Sequence, residues 1–220
     1  MTKTGEAGRV RYDEGCPGAH ALNQIGDRWA LLVVRELMFA PKRFQMIRAG
    51  LPGITAGVLA GRLAQLRDAG VVAHDERLGL YGLTDVGRAL LPVLEALCRW
   101  ALLVPGHDPS RFISPSALMI SMGANLDVSA AEAEDGRRTG LAGFDFGGEA
   151  FEARVAGGRL ATVAVAVPDA PFVLAGSGNA LAAAVYGPAP LAQLVSGGVV
   201  AARGDLDAAQ RFVDLFRLGP

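Results

Sequence analysis

Few residues in this chain have the types and spacing that catalysis requires. Nucleophilic catalysis needs a nucleophile with a base, most often histidine, within hydrogen-bond reach. The histidines are His20, His74 and His107, so residues 110–220 contain none. The carboxylates of that half show no spacing typical of an acid–base pair, and no group of Cys and His has the spacing of a zinc site. The sequence therefore predicts that the protein is not an enzyme and needs no metal or cofactor.

One residue with chemical potential is Cys16. The two cysteines, Cys16 and Cys98, are too few for a disulfide framework. Cys16 precedes Pro17 at the predicted start of the first helix, and a helix N-terminus lowers a thiol pKa and favours the thiolate. The alternative is a small buried residue, which is a common role for a free cysteine. Cys16 is thus a candidate redox site, whereas Cys98 lies among leucines and is predicted to be core.

The distribution of charge separates the chain into two parts. Residues 1–105 contain 13 Lys+Arg and 10 Asp+Glu, a net of +3, whereas residues 106–220 contain 8 and 12, a net of −4. The whole chain has a net charge of −1, so it is not a general binder of polyanions. A basic part joined to an acidic part predicts different partners for each. The segment 105–110 is rich in Pro and Gly and is the predicted join, giving domains 1–105 and 106–220.

The first domain has the element order of a winged helix-turn-helix. The predicted helices cover 28–39, 44–48, 56–69 and 85–104, and the predicted strands cover 71–74 and 80–83. Asp27, Thr55 and Thr84 are placed to cap three of these helices. In this motif the helix after the turn enters the major groove of DNA, and the hairpin, or wing, reaches the adjacent backbone. The first domain is therefore predicted to bind double-stranded DNA.

The residues that this arrangement brings to DNA are few. Direct base readout needs donors and acceptors, yet the exposed face of the helix over 56–69 is rich in Ala and Gly and clearly offers only Thr55 and Arg62. The alternative roles are a helix cap for Thr55, a surface ion pair for Arg62 and a solvated charge for Arg77. We expect low intrinsic specificity or readout of DNA shape. The candidate DNA-contacting residues, including basic side chains that can hold phosphates, are Lys42, Arg43, Arg48, Thr55, Ala56, Arg62 and Arg77.

Several stretches of this domain resemble the HxlR-type transcriptional regulators. They include Ile25-Gly26-Asp27-Arg28-Trp29, Leu51-Pro52-Gly53-Ile54-Thr55 and Tyr81-Gly82-Leu83-Thr84. The resemblance covers about residues 12–104 and implies a homodimer built through the first helix and the long C-terminal helix of this domain. It also implies a redox role for Cys16, because some members of the family sense oxidants through a cysteine at the matching position. The hairpin loop is shorter than the usual wing of the family and lacks its prolines.

The second domain is predicted to be α+β, an antiparallel sheet with helices packed on one face. The predicted strands cover 140–146, 150–155, 160–167, 171–174 and 198–202, and the predicted helices cover 116–126, 178–186, 191–195 and 205–218. The stretches at 151–158, 171–176, 191–195 and 204–212 resemble the sterol-carrier-protein-like lipid-binding domain over about residues 112–218. The resemblance implies a tunnel for an acyl chain or another small apolar molecule. The candidate lining residues, for which ordinary core positions are the alternative, are Met119, Met122, Phe144, Phe146, Phe172 and Tyr186.

These features predict a ligand-responsive transcriptional regulator that binds operator DNA as a homodimer. One alternative is a redox regulator that acts through Cys16, and another is a carrier or interaction protein that no longer reads DNA. The uncharged stretch 170–202 is interrupted by Pro and Gly, so a membrane span is not expected. With no secretory signal at the start of the chain, the predicted location is the cytoplasm.

Overall fold

The computed structural model describes residues 2–5, 9–129 and 140–219, and the chain divides into two compact units, Met1–Leu90 and Leu91–Pro220. In the first unit the helices are α1 Pro17–Ile25, α2 Ala30–Leu37, α3 Phe44–Ala49, α4 Ala56–Asp68 and α5 Asp85–Arg88. Its strands are β1 Thr2–Gly5, β2 Arg9–Tyr12, β3 Lys42–Arg43, β4 Val72–Asp75 and β5 Leu80–Leu83.

The first unit is a winged helix-turn-helix, as the sequence predicts. α3 and α4 are joined by a short turn, and β3, β5 and β4 form a three-stranded antiparallel sheet in that order. Helix α2 packs on α4, and their apolar side chains form the core because each helix buries one face. The core residues of these two helices are Val33, Val34, Leu37, Leu59, Leu63 and Leu66. The hairpin of β4 and β5 therefore projects from a packed helical base.

The sequence predicts one long helix over 85–104, and this prediction is wrong. The structure has two helices in this range, α5 and a second one that begins at Leu91. Thr84 caps α5 by accepting a hydrogen bond from the backbone N–H of Gly87 at 3.2 Å. A second helix, α6 Leu91–Ala101, then begins with Pro92 in its first turn, where a residue without an N–H is tolerated. Packing assigns α6 to the second unit, whereas the sequence predicts this helix in the first domain. The functional boundary at residues 105–106 stays a prediction.

The second unit combines helices with one five-stranded sheet. Its further helices are α7 Pro115–Ala124, α8 Gly178–Tyr186, α9 Leu191–Ser196 and α10 Leu206–Val213. Its strands are β6 Leu141–Asp145, β7 Ala150–Ala156, β8 Arg159–Val165, β9 Phe172–Ala175 and β10 Ala201–Gly204, in the sheet order β10-β9-β6-β7-β8. The predicted elements are present with shifted ends; the last helix, for example, ends at Val213 rather than at residue 218.

The sheet is mixed, which corrects the prediction of an antiparallel sheet. Strands β6 and β9 are parallel neighbours, with Phe144 opposite Leu174. Because β8 and β9 run in the same direction, the segment 166–171 between them must cross back over the sheet. Pro168 of that segment lies over Gly143, where an added Cβ would come within 2.7 Å of the proline. Gly143 therefore leaves room for a crossing that the alternation of apolar residues does not reveal.

The helices cover the face of the sheet that carries its largest side chains. Phe144 of β6 and Phe172 of β9 lie on this face, and both are at most 3% exposed. The ring of Phe212 in α10 packs against them, with centroid separations of 6.3 and 5.7 Å. The packing of these aromatic rings joins α10 to the sheet. The α+β class of this unit is as predicted.

Candidate nucleic-acid interface

Helix α4 presents a surface of small side chains to solvent. Its buried face carries leucines, so the opposite face of the helix is exposed. The exposed residues of its first half include Ala56, Gly57, Ala60 and Gly61. A Cβ added at Gly57 or Gly61 would meet no atom of the described chain within 4 Å beyond the helix itself. The glycines are therefore not required by packing inside the unit, and they leave the helix backbone open to close approach from outside.

The exposed small residues of α4 lead to a prediction about the free energy of unfolding. Replacing Gly61 by alanine should raise the free energy of unfolding by about 0.5–1 kcal/mol, because glycine in a helix interior has excess backbone freedom to lose. The reverse change at the exposed neighbour, Ala64→Gly, should lower it by a similar amount. Urea unfolding followed by the fluorescence of Trp29, in a background that carries Trp100→Phe, measures both. A loss of stability in Gly61→Ala would contradict the open surface described above.

Thr55 occupies the N-cap position that the sequence predicts. Its Oγ1 accepts a hydrogen bond from the backbone N–H of Val58 at 3.3 Å, and the residue is exposed. The hydroxyl also has an O–H donor, which is able to bond to a phosphate. Ala56, the first residue of α4, is also exposed. The free N–H groups of a helix N-terminus favour an anion, so this end of α4 suits a DNA phosphate.

Arg62 is held by other residues of the same unit. Its guanidinium lies 2.7 Å from Oδ2 of Asp27 and donates to the side chain of Gln65, and the Arg62 side chain is only 24% exposed. Asp27 was predicted to cap α2, and that prediction is wrong because Trp29 takes the N-cap position. The pairing favours the ion-pair alternative for Arg62 over a contact with bases.

Lys42 does not belong to the surface, which corrects its predicted phosphate contact. The residue is 2% exposed, and its Nζ lies 3.6 Å from Oε2 of Glu36, which is itself fully buried. The Nε of Arg35 donates to Oε1 of the same carboxylate at 2.9 Å. An ammonium group held in this way cannot reach DNA. The signal in the sequence is the alternation of a strand, which turns Lys42 inward when Arg43 faces solvent.

The remaining basic candidates are exposed. Arg43, Arg48 and Arg77 all lie at the surface of the first unit. Arg43 lies beside the turn of the wing, since its guanidinium is 3.4 Å from the position that a Cβ on Gly79 would take. The turn itself is tight, with a hydrogen bond from the N–H of Leu78 to Oδ1 of Asp75 at 3.0 Å. These arginines can position the unit on DNA through phosphates without reading bases.

Cys16 is exposed at the N-terminus of α1. It makes no capping hydrogen bond of standard geometry, but the backbone N–H groups of Ala19 and Gly18 lower the pKa of its thiol. Its thiolate fraction at neutral pH should therefore exceed that of an ordinary cysteine. Cys98, in contrast, is half-buried in α6. The exposure and the pKa both distinguish Cys16 from the buried alternative.

Alkylation by iodoacetamide should reveal this difference. Cys16 should react faster than a free cysteine peptide at pH 7, and its rate should reach half its maximum at a pH below the usual thiol value, because the thiolate is the nucleophile. The Cys98→Ala variant isolates Cys16, and Cys16→Ala isolates Cys98. A rate profile for Cys16 that matches the free peptide would contradict the lowered pKa.

Most of the predicted lining residues of the second unit belong to its core. The four that are at most 3% exposed are Met119, Met122, Phe144 and Phe172. Phe146 and Tyr186 are half-buried. The hydroxyl oxygen of Tyr186 lies 2.9 Å from Oγ of Ser121, and burial raises the pKa of this tyrosine. These contacts are those of packed interior side chains, so a ligand tunnel at these residues stays a prediction.

The part of the chain that the structure describes holds no candidate metal centre and no candidate membrane span. Within residues 2–5, 9–129 and 140–219, no three His, Cys, Asp or Glu side chains are grouped to hold a metal ion. No helix in these ranges is long and apolar enough to cross a membrane.

A winged helix-turn-helix with an open face on α4 and exposed arginines on the same unit is the arrangement of a DNA-binding transcriptional regulator. Residues 24–106 match the HxlR-like helix-turn-helix family. The HTH-type transcriptional regulator YvaP of Bacillus subtilis is 38% identical over 99 residues, which are 42% of this chain and 91% of YvaP. The chain therefore belongs to the HxlR-like helix-turn-helix family. The relatives that match this part of the chain are named HTH-type transcriptional regulators.

Two solved structures extend the comparison. The quinone-bound YodB of B. subtilis is 36% identical and covers 40% of this chain and 99% of its own, with a TM-score of 0.37. A ubiquinone synthesis protein, UbiJ-SCP2, is 15% identical and covers 58% of this chain and 88% of its own, with a TM-score of 0.35. The ligand-binding role of the second unit stays a prediction beside this likeness.

Proposed function

We propose that the protein is a homodimeric transcription regulator that binds operator DNA through α4 and the wing and responds to a small ligand held by the second unit. The observation that carries the DNA-binding part is the exposed face of α4, capped by Thr55 and accompanied by the exposed Arg43, Arg48 and Arg77. A response to ligand requires that the DNA-bound and free states differ in their affinity for it.

The mode of DNA reading follows from the side chains that α4 lacks. With Arg62 paired to Asp27, the first half of α4 offers Thr55 but no long polar side chain toward the groove. Phosphate contacts then supply most of the affinity, and sequence enters through the shape and deformability of DNA. The short wing reaches the adjacent backbone with Arg77.

The test is the fluorescence anisotropy of labelled DNA from upstream of the protein's own gene, titrated with protein across a series of salt concentrations. An unrelated duplex is the control. Binding that is about a thousandfold tighter to the upstream DNA and weakens with salt would support a sequence-reading regulator. Equal and weak binding to both duplexes and to neighbouring promoter fragments would favour the carrier alternative instead.

A stripe of apolar side chains on α6 supports the homodimer. Val93, Leu97 and Trp100 are 41%, 42% and 61% exposed, and they recur at intervals of four and three residues. This spacing is that of one helix face that packs against another helix. Helix α1 also exposes an apolar side chain, Leu22, at 53%. A second copy of the chain, related by a two-fold axis, is the proposed occupant, and it would supply the second recognition helix.

A charge in this stripe should disrupt the dimer. Leu97→Glu should raise the dimer dissociation constant about tenfold or more, because burying an unpaired carboxylate at an apolar interface is unfavourable. Sedimentation equilibrium measures the change. Val163→Glu, at a position on β8 that is 60% exposed, is the matched control and should leave the constant unchanged. A dimer that survives Leu97→Glu undiminished would assign the interface to another surface.

Cys16 supports a second candidate function, that of a redox regulator. The supporting observation is an exposed thiol whose pKa is lowered at a helix N-terminus. Treatment with the oxidant diamide should then change the affinity for operator DNA, and Cys16→Ser should abolish that response whereas Cys98→Ser should retain it. A response that persists in Cys16→Ser would exclude this candidate.

A further inference from the structure

A cleft of about 660 Å³ lies in the second unit, bordered by the end of α6, the end of α7 and the residues near 217–219. Its volume is within the range of about 300–1,000 Å³ that small-molecule sites usually have. None of the lining residues predicted from the sequence border it. Its apolar wall includes Trp100, Leu103 and Leu218. The cleft is therefore a second place, apart from the sheet core, where a ligand can be held.

The backbone holds the floor of the cleft in place. Leu126 and Phe216 form an antiparallel bridge, and hydrogen bonds flank it on both sides. The N–H of Arg217 donates to the carbonyl of Asn125 at 3.1 Å, and the N–H of Asp127 donates to the carbonyl of Leu215 at 2.7 Å. Arg217 is thus fixed at its backbone although its side chain is 73% exposed. A site that is already formed loses less conformational entropy on binding.

The charged residues that line the cleft have an excess of positive charge, although Arg99 also interacts with the carboxylate of Glu95 on the same helix. The lining includes Arg99, Arg217 and Asp127, so two cations accompany one carboxylate. The Nε of Arg217 lies 3.9 Å from Oδ2 of Asp127, which is at the limit of an ion pair. Arg99 donates one N–H to the carbonyl of Ala124 at 3.4 Å, and its guanidinium keeps further donors. Two guanidinium groups beside an apolar wall match an anion with an apolar body.

We infer that this cleft binds an amphipathic carboxylate with a compact apolar body, whose carboxylate is held by Arg99 and Arg217 and whose apolar part lies against Trp100 and Leu103. This inference rests on the proposed role of the second unit as the ligand-binding part, and it names the site and the chemical class of the ligand. Trp100 also belongs to the apolar stripe of α6. A ligand in the cleft would therefore contact a side chain that also belongs to the proposed dimer interface.

The test is calorimetric titration of the full chain with 2-naphthoate, in the absence of DNA. The neutral isostere 2-naphthamide should bind about tenfold more weakly, because it gives the two guanidinium groups no charge to pair. In the double variant Arg99→Gln, Arg217→Gln, the affinity for 2-naphthoate should fall about tenfold or more. Arg211→Gln, an exposed arginine on α10 outside the cleft, is the matched control and should bind as the unmodified chain does.

Each outcome bears on the inference. Absence of heat with 2-naphthoate at about 1 mM, equal affinity for the acid and the amide, or unchanged affinity in the double variant would each overturn it. The comparison of acid with amide uses the unmodified chain, so it stays decisive if the double variant does not fold. DNA binding is measured separately, and a negative titration leaves the proposed DNA-binding role untouched.

Discussion

Glu36→Ala should lower the free energy of unfolding of the first unit by about 3–5 kcal/mol, the usual cost of breaking a buried ion pair. The fully buried carboxylate of Glu36 lies 3.6 Å from the ammonium of Lys42 and accepts a hydrogen bond from Arg35. Removing it leaves the Lys42 charge in the interior without this counter-ion. Urea unfolding reports the change, and Trp29 fluorescence in the Trp100→Phe background restricts the signal to the first unit.

Two further variants separate the ion pair from general effects of substitution. Glu76→Ala removes an exposed carboxylate from the wing and should change the free energy of unfolding by less than about 0.5 kcal/mol. The double variant Glu36→Leu, Lys42→Met should lose less stability than Glu36→Ala, because no charge of this pair is then left buried. If Glu36→Ala were as mild as Glu76→Ala, the carboxylate would not be holding Lys42 in place.

Replacing Arg43, Arg48 and Arg77 together by glutamine should weaken DNA binding strongly and reduce its dependence on salt. Each phosphate contact contributes about 0.9 to the magnitude of the slope of log affinity against log salt, so losing three from each protomer of the proposed dimer should reduce that magnitude by about 5.4. The three side chains are exposed, and Arg43 lies beside the wing turn. Anisotropy titrations across a salt series measure both quantities on the same duplex.

Arg88→Gln is the matched control for that triple variant. Arg88 is an exposed arginine of the same unit, but its guanidinium lies 2.6 Å from Oδ1 of Asp85 and it is not a candidate contact. The slope of log affinity against log salt for Arg88→Gln should equal that of the unmodified chain. An unchanged slope in the triple variant, with binding retained, would mean that DNA lies against another surface of the first unit.

Local signals in the sequence were sufficient for the order of elements in the first unit. Thr55 and Thr84 cap the helices that their positions predict, because capping depends on residues only a few positions apart. The α4 leucines recur at helical spacing and are buried as expected. The predictions that failed depended on contacts between distant residues or on finer details of the sequence. The break between α5 and α6 falls at Ala89 and Leu90, just before Pro92, which has no N–H to donate within a continuous helix over 85–104.

The parallel pair of β6 and β9 shows a different limit. Alternation predicts that a segment is a strand and which of its residues face inward, but it says nothing about which strand will be its neighbour. Here the deciding feature is the crossing of the segment 166–171 over Gly143, a contact between residues distant in sequence. No pattern within β6 or β9 alone carries that information.

The candidate site was predicted in part, and the errors share one cause. The sequence shows that Lys42 and Arg62 are basic but not that Glu36 and Asp27 lie close enough to pair with them. A charge with such a partner is less available to DNA, whereas Arg43, Arg48 and Arg77 reach solvent. The cleft in the second unit was missed because Arg99 and Arg217 are brought to it from segments far apart in the chain.

The family match and the compact units divide the chain at different places, one after α6 and the other before it. The family match extends to residue 106, yet α6 packs with α7 in the second compact unit, where the carboxylate of Glu95 lies 2.7 Å from the position that a Cβ on Gly123 would take. Cutting the chain where the family ends would thus strip α6 of a partner that it has in the intact protein. A portable DNA-binding fragment, or a hybrid that exchanges sensor parts between relatives, needs its junction after α7 or a redesigned inner face on α6.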